Sequence, residues 1–143
     1  MMSRKSKKIA ALIENCHGRD LDPHYLGYCE CFNRQLFYEA HDVLEELWLA
    51  DKQGPNHSFY KGLIQLAGAF VHLQKNRLRP AASLFKLARA NLGKYSPVHE
   101  RLDLAKILTT IDEWLSALEC THYSNNPLAS TTAPRLHILG KSE

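Results

Sequence analysis

A histidine and a glutamate lie one turn apart on the apolar face of the third predicted helix. On a wheel of about 100° per residue, His41 and Glu45 share a narrow stripe with Phe37, Leu44 and Trp48. The other acidic residues of this helix, which the wheel places on the solvent side, are Glu39, Asp42 and Glu46. The pattern therefore holds an imidazole and a carboxylate beside a hydrophobic core.

The fourth predicted helix is apolar around most of its circumference and carries a single polar stripe. That stripe contains Lys61, Gln65 and His72, and it is bordered by Gly62 and Gly68. Small residues allow a neighbouring helix or a ligand to come close. The short connection favours an antiparallel hairpin of the two helices, which allows the two polar stripes to face each other.

Two kinds of chemistry are consistent with these facing stripes. A buried carboxylate beside two imidazoles is costly unless a metal, a proton or a cationic ligand neutralises it. His41, Glu45 and His72 are therefore candidate ligands of a divalent metal, and their types suit zinc, manganese or iron. The alternative is a structural network in which the same groups satisfy one another and fix the register of two helices. The residues alone leave both interpretations open.

Length and composition restrict the class of protein. The chain has 143 residues, with 45% hydrophobic and 23% charged side chains, which is typical of one globular domain and excludes a chain disordered throughout. Of the positive charges, four fall in the first eight residues, so the rest is close to neutral and gives no strong nucleic-acid signal. We expect this basic start to be a frayed, solvated end. No dinucleotide-binding, P-loop or nucleophile-elbow motif occurs.

The cysteines and the longest apolar run indicate a reduced, soluble, cytoplasmic protein. There are four cysteines, and no secretory signal is visible. Cys29 and Cys31 form a CxC pair rather than the CxxC spacing of zinc sites, so they are expected to be small buried hydrophobes. The run from Leu63 to Val71 is too short to span a membrane.

Turn residues and apolar periodicity divide the chain into six predicted helices, the first being the weakest. They extend over about residues 5–16, 23–32, 35–50, 58–75, 79–95 and 99–119. No alternating strand pattern interrupts them. The predicted class is therefore all-α, a compact bundle of five to six helices built from antiparallel helical hairpins.

The helices are expected to form one domain over residues 1–120, followed by an irregular tail over residues 121–143 with a docking segment at 136–139. A weak internal repeat relates the third and fifth helices at an offset of 41 residues. It pairs Ala40, Leu44 and Leu47 with Ala81, Phe85 and Ala88. Such spacing is compatible with tetratricopeptide-like packing, although that repeat is usually ~34 residues long.

Two motifs give the chain a family resemblance. EAH-x3-E-x2-W ends at Trp48, and GLIQ-x6-H ends at His72. Together they resemble the domain of unknown function 309 family over a motif core at residues 28–95. The resemblance implies an all-α bundle, and the label of predicted metal-dependent hydrolase given to some members implies a metal site. The motif positions carried over are Glu39, His41, Glu45, Trp48, Gly62, Gln65 and His72.

The resulting first hypothesis is a cavity between the third and fourth helices that binds a metal or a small ligand, with hydrolysis as its candidate activity. Glu45 or Glu39 would act as the general base. The candidate ligand-binding residues are His41, Glu45, Trp48, Lys61, Gln65 and His72. The alternative is a non-enzymatic adaptor that binds a protein partner. Oligomerisation is left open, and the expected compartment is the cytoplasm, or the plastid stroma in a plastid-bearing lineage.

Overall fold

Six α-helices form in the computed structural model, within residues 3–129 and 131–140, which are the residues that it describes. They are α1 (Arg4–Leu12), α2 (Pro23–Asn33), α3 (Phe37–Ala50), α4 (His57–Gln74), α5 (Leu78–Leu92) and α6 (Leu104–Glu119). Short 3-10 turns cover Glu14–Cys16 and Pro127–Ala129, and strands β1 (Val98–His99) and β2 (Leu102–Asp103) form one small antiparallel pair. The predicted all-α helical bundle is confirmed.

Side-chain caps mark where three of the helices begin. Ser3 accepts a hydrogen bond from the Ser6 amide at the start of α1. At α2, Asp22 accepts from the His24 amide at 2.8 Å and Pro23 takes the first helical position. Asp103 accepts from the Lys106 amide at 3.0 Å and begins α6. Each cap satisfies an amide that has no partner inside its helix.

The two helical hairpins, α2 with α3 and α4 with α5, are closed by the same turn. Gln35 and Asn76 both adopt left-handed backbone conformations, with φ of 61° and 57°. The Leu36 amide donates to the Cys31 carbonyl, and the Arg77 amide donates to the His72 carbonyl. This 6→1 hydrogen bond is the Schellman ending of a helix. The equivalent residues of the two turns, such as Gln35 and Asn76, are 41 residues apart, which is the offset of the internal repeat in the sequence.

Helix α4 is the centre of the bundle. It packs between α3 and α5, while α2 and α1 contact α3, and α6 packs against α5. Most of the α4 side chains are buried, as its nearly continuous apolar surface predicted. The hairpin neighbours of this helix therefore fix the position of its polar stripe.

The chain between α5 and α6 differs from the prediction. Residues 99–103 were expected to begin the last helix, whereas β1 and β2 form a hairpin here with Val98 opposite Asp103. Glu100 and Arg101 both have positive φ, which suits a two-residue hairpin turn. The prediction of a chain without strands was therefore wrong here. Helix α5 also ends at Leu92 rather than near residue 95, and α1 ends at Leu12 with a separate 3-10 turn after it.

The C-terminal segment is held by hydrogen bonds to its backbone rather than by a helix. Asn33 donates through Nδ2 to the Leu136 carbonyl at 2.7 Å and accepts through Oδ1 from the Leu136 amide at 2.6 Å. The Leu139 amide donates to the Arg101 carbonyl at 2.7 Å, and Leu102 forms a β-bridge with Ile138. Of the predicted tail, residues 130 and 141–143 lie outside the described part.

The four cysteines are free thiols, and three of them are buried. Burial raises the pKa of Cys16 to about 11 and that of Cys29 to about 12, so both are protonated near neutral pH. Cys16, Cys29 and Cys31 thus pack as small hydrophobic residues, as expected from the CxC spacing. Cys120 is exposed after the end of α6.

Gly62 and Gly68 of α4 differ in how closely α5 approaches them, which gives a matched pair of substitutions. A methyl group at Gly62 would lie 2.8 Å from Leu92 Cγ and 3.2 Å from Asn91 Cβ. We expect Gly62→Ala to lower the free energy of unfolding by about 1–2 kcal/mol, because overpacking exceeds the gain in helix propensity. Urea denaturation of the full chain measures this change.

The control is Gly68→Ala, where the new methyl group meets only the tip of Leu84, at 3.1 Å from Cδ1. That tip can move, so we expect Gly68→Ala to leave the free energy of unfolding unchanged or to raise it by up to about 1 kcal/mol. Equal losses of stability at the two positions would contradict close packing of α5 on Gly62.

Candidate functional site

A cavity of about 270 Å³ lies where α3, α4 and α5 meet. It is lined by Tyr38, His41, Ile64, Gln65, Gly68, Val71, His72, Lys75 and Leu84. Of the residues predicted to form a site, His41, Gln65 and His72 are brought together here. The others, Glu39, Glu45, Trp48 and Lys61, are not among the residues that line it.

His72 is the cavity residue with an unsatisfied polar atom. Its Nδ1 is buried and has no hydrogen-bond partner within the described residues. Burial lowers the pKa of His72 below its usual 6.5, and the nearby charges of Arg77 and Lys75 lower it further. The imidazole is therefore neutral at pH 7, although it lies in a positive local field.

Gln65 is held in place from α5. Asn91 donates through Nδ2 to Gln65 Oε1 at 2.8 Å. Because the carbonyl of the Gln65 amide is occupied in this way, its orientation is fixed and its NH₂ group remains as a donor. The Gln65 side chain can both donate and accept hydrogen bonds, and this contact leaves it as a donor beside the cavity.

His41 lies beside two carboxylates of its own helix. Its Nδ1 lies 3.2 Å from Asp42 Oδ1, and its Nε2 lies 3.8 Å from Glu45 Oε2. The Lys5 ammonium of α1 lies 3.5 Å from Asp42 Oδ1 and 3.3 Å from Glu45 Oε1. One cation therefore bridges the two carboxylates that flank the imidazole.

The placement of Asp42 corrects the sequence prediction. It was assigned to the solvent side of α3, but it is buried, with 8% of its surface exposed. The reason is that α1 packs against α3 and covers this side. The basic start of the chain is correspondingly not just a solvated end, because Ser3 caps a helix and Lys5 forms ion pairs.

The charges of Lys5, Asp42 and Glu45 stabilise one another. Partial burial opposes the charged form of Lys5, but the two carboxylates outweigh this effect and raise its pKa above the usual 10.5. The ammonium is therefore charged throughout the neutral range. The Lys5 side chain is still 54% exposed, so solvent screens the interaction and limits its contribution to stability.

The residues present do not fit the metal site predicted from His41, Glu45 and His72. Within residues 3–129 and 131–140, no group of three or more His, Cys, Asp or Glu side chains is arranged to hold a metal ion. In addition, Glu45 is already in contact with the Lys5 ammonium. The negative charge that suggested a metal is thus neutralised by a side chain of the same molecule.

Trp48 and Lys61 form a separate contact between α3 and α4. The Lys61 ammonium lies 5.2 Å from the centre of the Trp48 ring, which is a cation–π distance. The same indole packs against His57, with 5.3 Å between the ring centroids. These two predicted ligand-binding residues therefore belong to the packing at the beginning of α4.

Glu39 faces a different environment from Glu45. Burial raises the pKa of the Cys31 thiol to about 11, and the Glu39 carboxylate contributes to this shift. This effect relates Glu39 to α2 rather than to the cavity. Neither candidate general base, Glu39 or Glu45, lines the cavity.

Comparison of the chain with known families gives a match over part of its length. Residues 25–84 match the family described as Domain of unknown function (DUF309). The resemblance inferred from the two motifs is confirmed, although the match begins before residue 28 and ends within α5. It includes His41, Gln65 and His72 but not Lys5. Searches of curated proteins and of solved structures gave no match.

No helix within the described residues combines the length and the apolarity needed to cross a bilayer. This agrees with the short apolar run noted in the sequence.

Several residues near the cavity were missed by the sequence analysis. Tyr38 lies three residues before His41, and Lys75 lies three residues after His72, so helical spacing alone would have found both. The partner of Gln65, Asn91, is on another helix and gave no local signal. A helical wheel describes a single helix and cannot show contacts between distant segments.

The bridge from Lys5 to Asp42 predicts a measurable coupling between α1 and α3. In a double-mutant cycle of Lys5→Met and Asp42→Asn, we expect a favourable coupling of about 0.5–1 kcal/mol at low ionic strength. Because the pKa of Lys5 is raised, the coupling is present in full at neutral pH and is lost as the pH rises through the raised value. Urea denaturation at several pH and salt values measures it.

A control cycle uses Lys86→Met and Glu119→Gln, whose charged atoms are 4.0 Å apart with both side chains half exposed. This exposed pair is expected to give the smaller coupling. A coupling for Lys5 and Asp42 that is near zero at low salt, or no larger than the control, would contradict the bridge.

Proposed function

We propose that this chain is a small-ligand-binding helical domain whose cavity between α3, α4 and α5 takes a small oxyanion, such as the carboxylate or phosphate group of a small molecule. The observation that carries the proposal is the buried, unpartnered Nδ1 of His72 in a residue that lines the cavity. An unsatisfied buried polar atom is costly, and a ligand that pairs with it recovers this cost.

The charges around the cavity favour an anion. Hydrogen-bond donors are available from Tyr38, Gln65 and Lys75, in addition to the imidazole of His72. None of the described residues that line it is acidic. Hydrogen bonds from charged donors to a carboxylate or phosphate are among the strongest in proteins. The volume of about 270 Å³ suits a molecule of a few carbon atoms.

Ligand binding is better supported than hydrolysis. Glu45 is engaged by Lys5 and His41, and neither Glu45 nor Glu39 lines the cavity, so neither carboxylate is placed to act as a base there. The predicted activity of a metal-dependent hydrolase would also require a metal, which these side chains do not fit. The adaptor hypothesis requires no ligand and becomes the better account if the binding experiments fail.

Binding of inorganic phosphate and of malonate tests the proposal. We expect saturable binding of at least one of these anions by calorimetry, and a rise in stability of about 2.7 kcal/mol at 100 times its dissociation constant. Because an anion favours the imidazolium form, the lowered pKa of His72 should rise on binding, and affinity should increase as the pH falls towards 6. NMR titration of the histidine side chains measures the pKa.

The matched variants are Lys75→Ala at the cavity and Lys52→Ala in the loop after α3, both at exposed positions. Loss of one charge-assisted hydrogen bond should weaken binding about tenfold in Lys75→Ala, while Lys52→Ala should bind normally. Absence of binding by both anions, or equal affinity in Lys75→Ala and the unaltered chain, would overturn the proposal.

Metal analysis distinguishes this proposal from the metal hypothesis. We expect protein purified without an affinity tag to contain no stoichiometric zinc, manganese or iron, and addition of these ions to leave the melting temperature unchanged. Stoichiometric metal that is lost in both His41→Ala and His72→Ala would instead support the predicted metal site. His17→Ala, at an exposed histidine, is the control for nonspecific metal binding.

A further inference from the structure

A second, larger cavity of about 430 Å³ lies between α6, the β-hairpin and the C-terminal segment. Neither the sequence motifs nor the proposed function involves it. Its wall is contributed by Phe32, Leu66, Leu102, Asp103, Lys106, Ile107, Thr110, Leu139 and residues 134–137. Three parts of the chain that are distant in sequence therefore enclose it.

The floor of this cavity is apolar. Phe32, Leu66, Leu102, Ile107 and Leu136 all line it and are all buried within the fold. Apolar cavities of a few hundred cubic ångströms with a small number of polar groups are typical of sites for small organic ligands. The floor thus provides a surface for a hydrocarbon chain.

The outer wall is fixed to the bundle. The two hydrogen bonds between Asn33 and the Leu136 backbone hold this wall at one end. The Leu139 amide donates to the Arg101 carbonyl at the other end. Because the wall is anchored on both sides, the cavity is formed before a ligand arrives, which reduces the entropic cost of binding.

The rim carries positive charge without a partner in the described chain. The side chains of Lys106 and Arg135 both line the cavity, and neither forms an ion pair or a hydrogen bond with the described residues. The acidic residue of the rim, Asp103, is hydrogen-bonded to the Lys106 amide as the cap of α6. A ligand with an anionic end would complement the two cations.

We propose that this cavity binds a medium-chain carboxylate, with its hydrocarbon chain on the apolar floor and its carboxylate at Lys106 and Arg135. An amphipathic anion matches both features, whereas a fully polar anion leaves the floor uncovered and a neutral hydrocarbon leaves the cations unpaired. The inference is independent of the anion site proposed above, because the two cavities share no lining residue.

The proposal is tested by calorimetry of the full chain with hexanoate, octanoate and decanoate below their micellar concentrations. Each added methylene that reaches the floor should improve the affinity about fourfold. Decanol, which lacks the charge, should bind about tenfold more weakly than decanoate. Backbone amide NMR should show decanoate-induced shifts at Leu102, Ile107 and Leu136.

Exposed positions provide variants that are expected to fold. Lys106→Ala and Arg135→Ala should each weaken decanoate binding about tenfold, while Lys8→Ala on α1 should have no effect. Lys75→Ala, which tests the first cavity, should leave decanoate binding unchanged. Equal binding of decanol and decanoate, unaltered affinity in both rim variants, or no binding of decanoate would overturn the proposal.

Discussion

The packing of Phe70 is the constraint on which the rest of the bundle depends. Its ring contacts Phe32, Phe37, Phe85 and Trp114, with centroid distances from 5.0 to 5.6 Å. These partners come from α2, α3, α5 and α6, so one side chain of α4 joins four other helices. Because the ring is fully buried and its neighbours meet it edge-on or stacked, the rotation of α4 about its axis is fixed.

That rotation determines where the polar stripe of α4 lies. At about 100° per residue, His72 is about 200° from Phe70, and Gln65 is about 220° from it. Both are therefore on the opposite side of the helix from the aromatic cluster. The chain cannot bury this stripe in the core without displacing Phe70, so it leaves a cavity bordered by α3 and α5. The site is thus a consequence of how the core is packed.

Local periodicity predicted the hairpins well, because both hairpins have the same spacing of buried residues. Ala40 and Ala81 are fully buried at equivalent positions of the second helix in each hairpin, and Gln35 and Asn76 end the first helix in the same conformation. The turns themselves were less visible, since neither contains the glycine that usually marks a left-handed residue. The β-hairpin was missed because strands of two residues are too short to show an alternating pattern. The second cavity could not be predicted because it depends on contacts between segments that are distant in sequence.

The surroundings of Asp42 show why the charges near the cavity between α3, α4 and α5 were harder to predict than the location of that cavity. A helical wheel distinguishes core from solvent, but it cannot show that α1 brings Lys5 over Asp42 and Glu45. A metal and an ammonium group are two ways of neutralising the same carboxylates. In this chain Lys5, which lies outside the segment that matches DUF309, supplies the positive charge. The negative charge of the motif is therefore balanced by a residue beyond the motif.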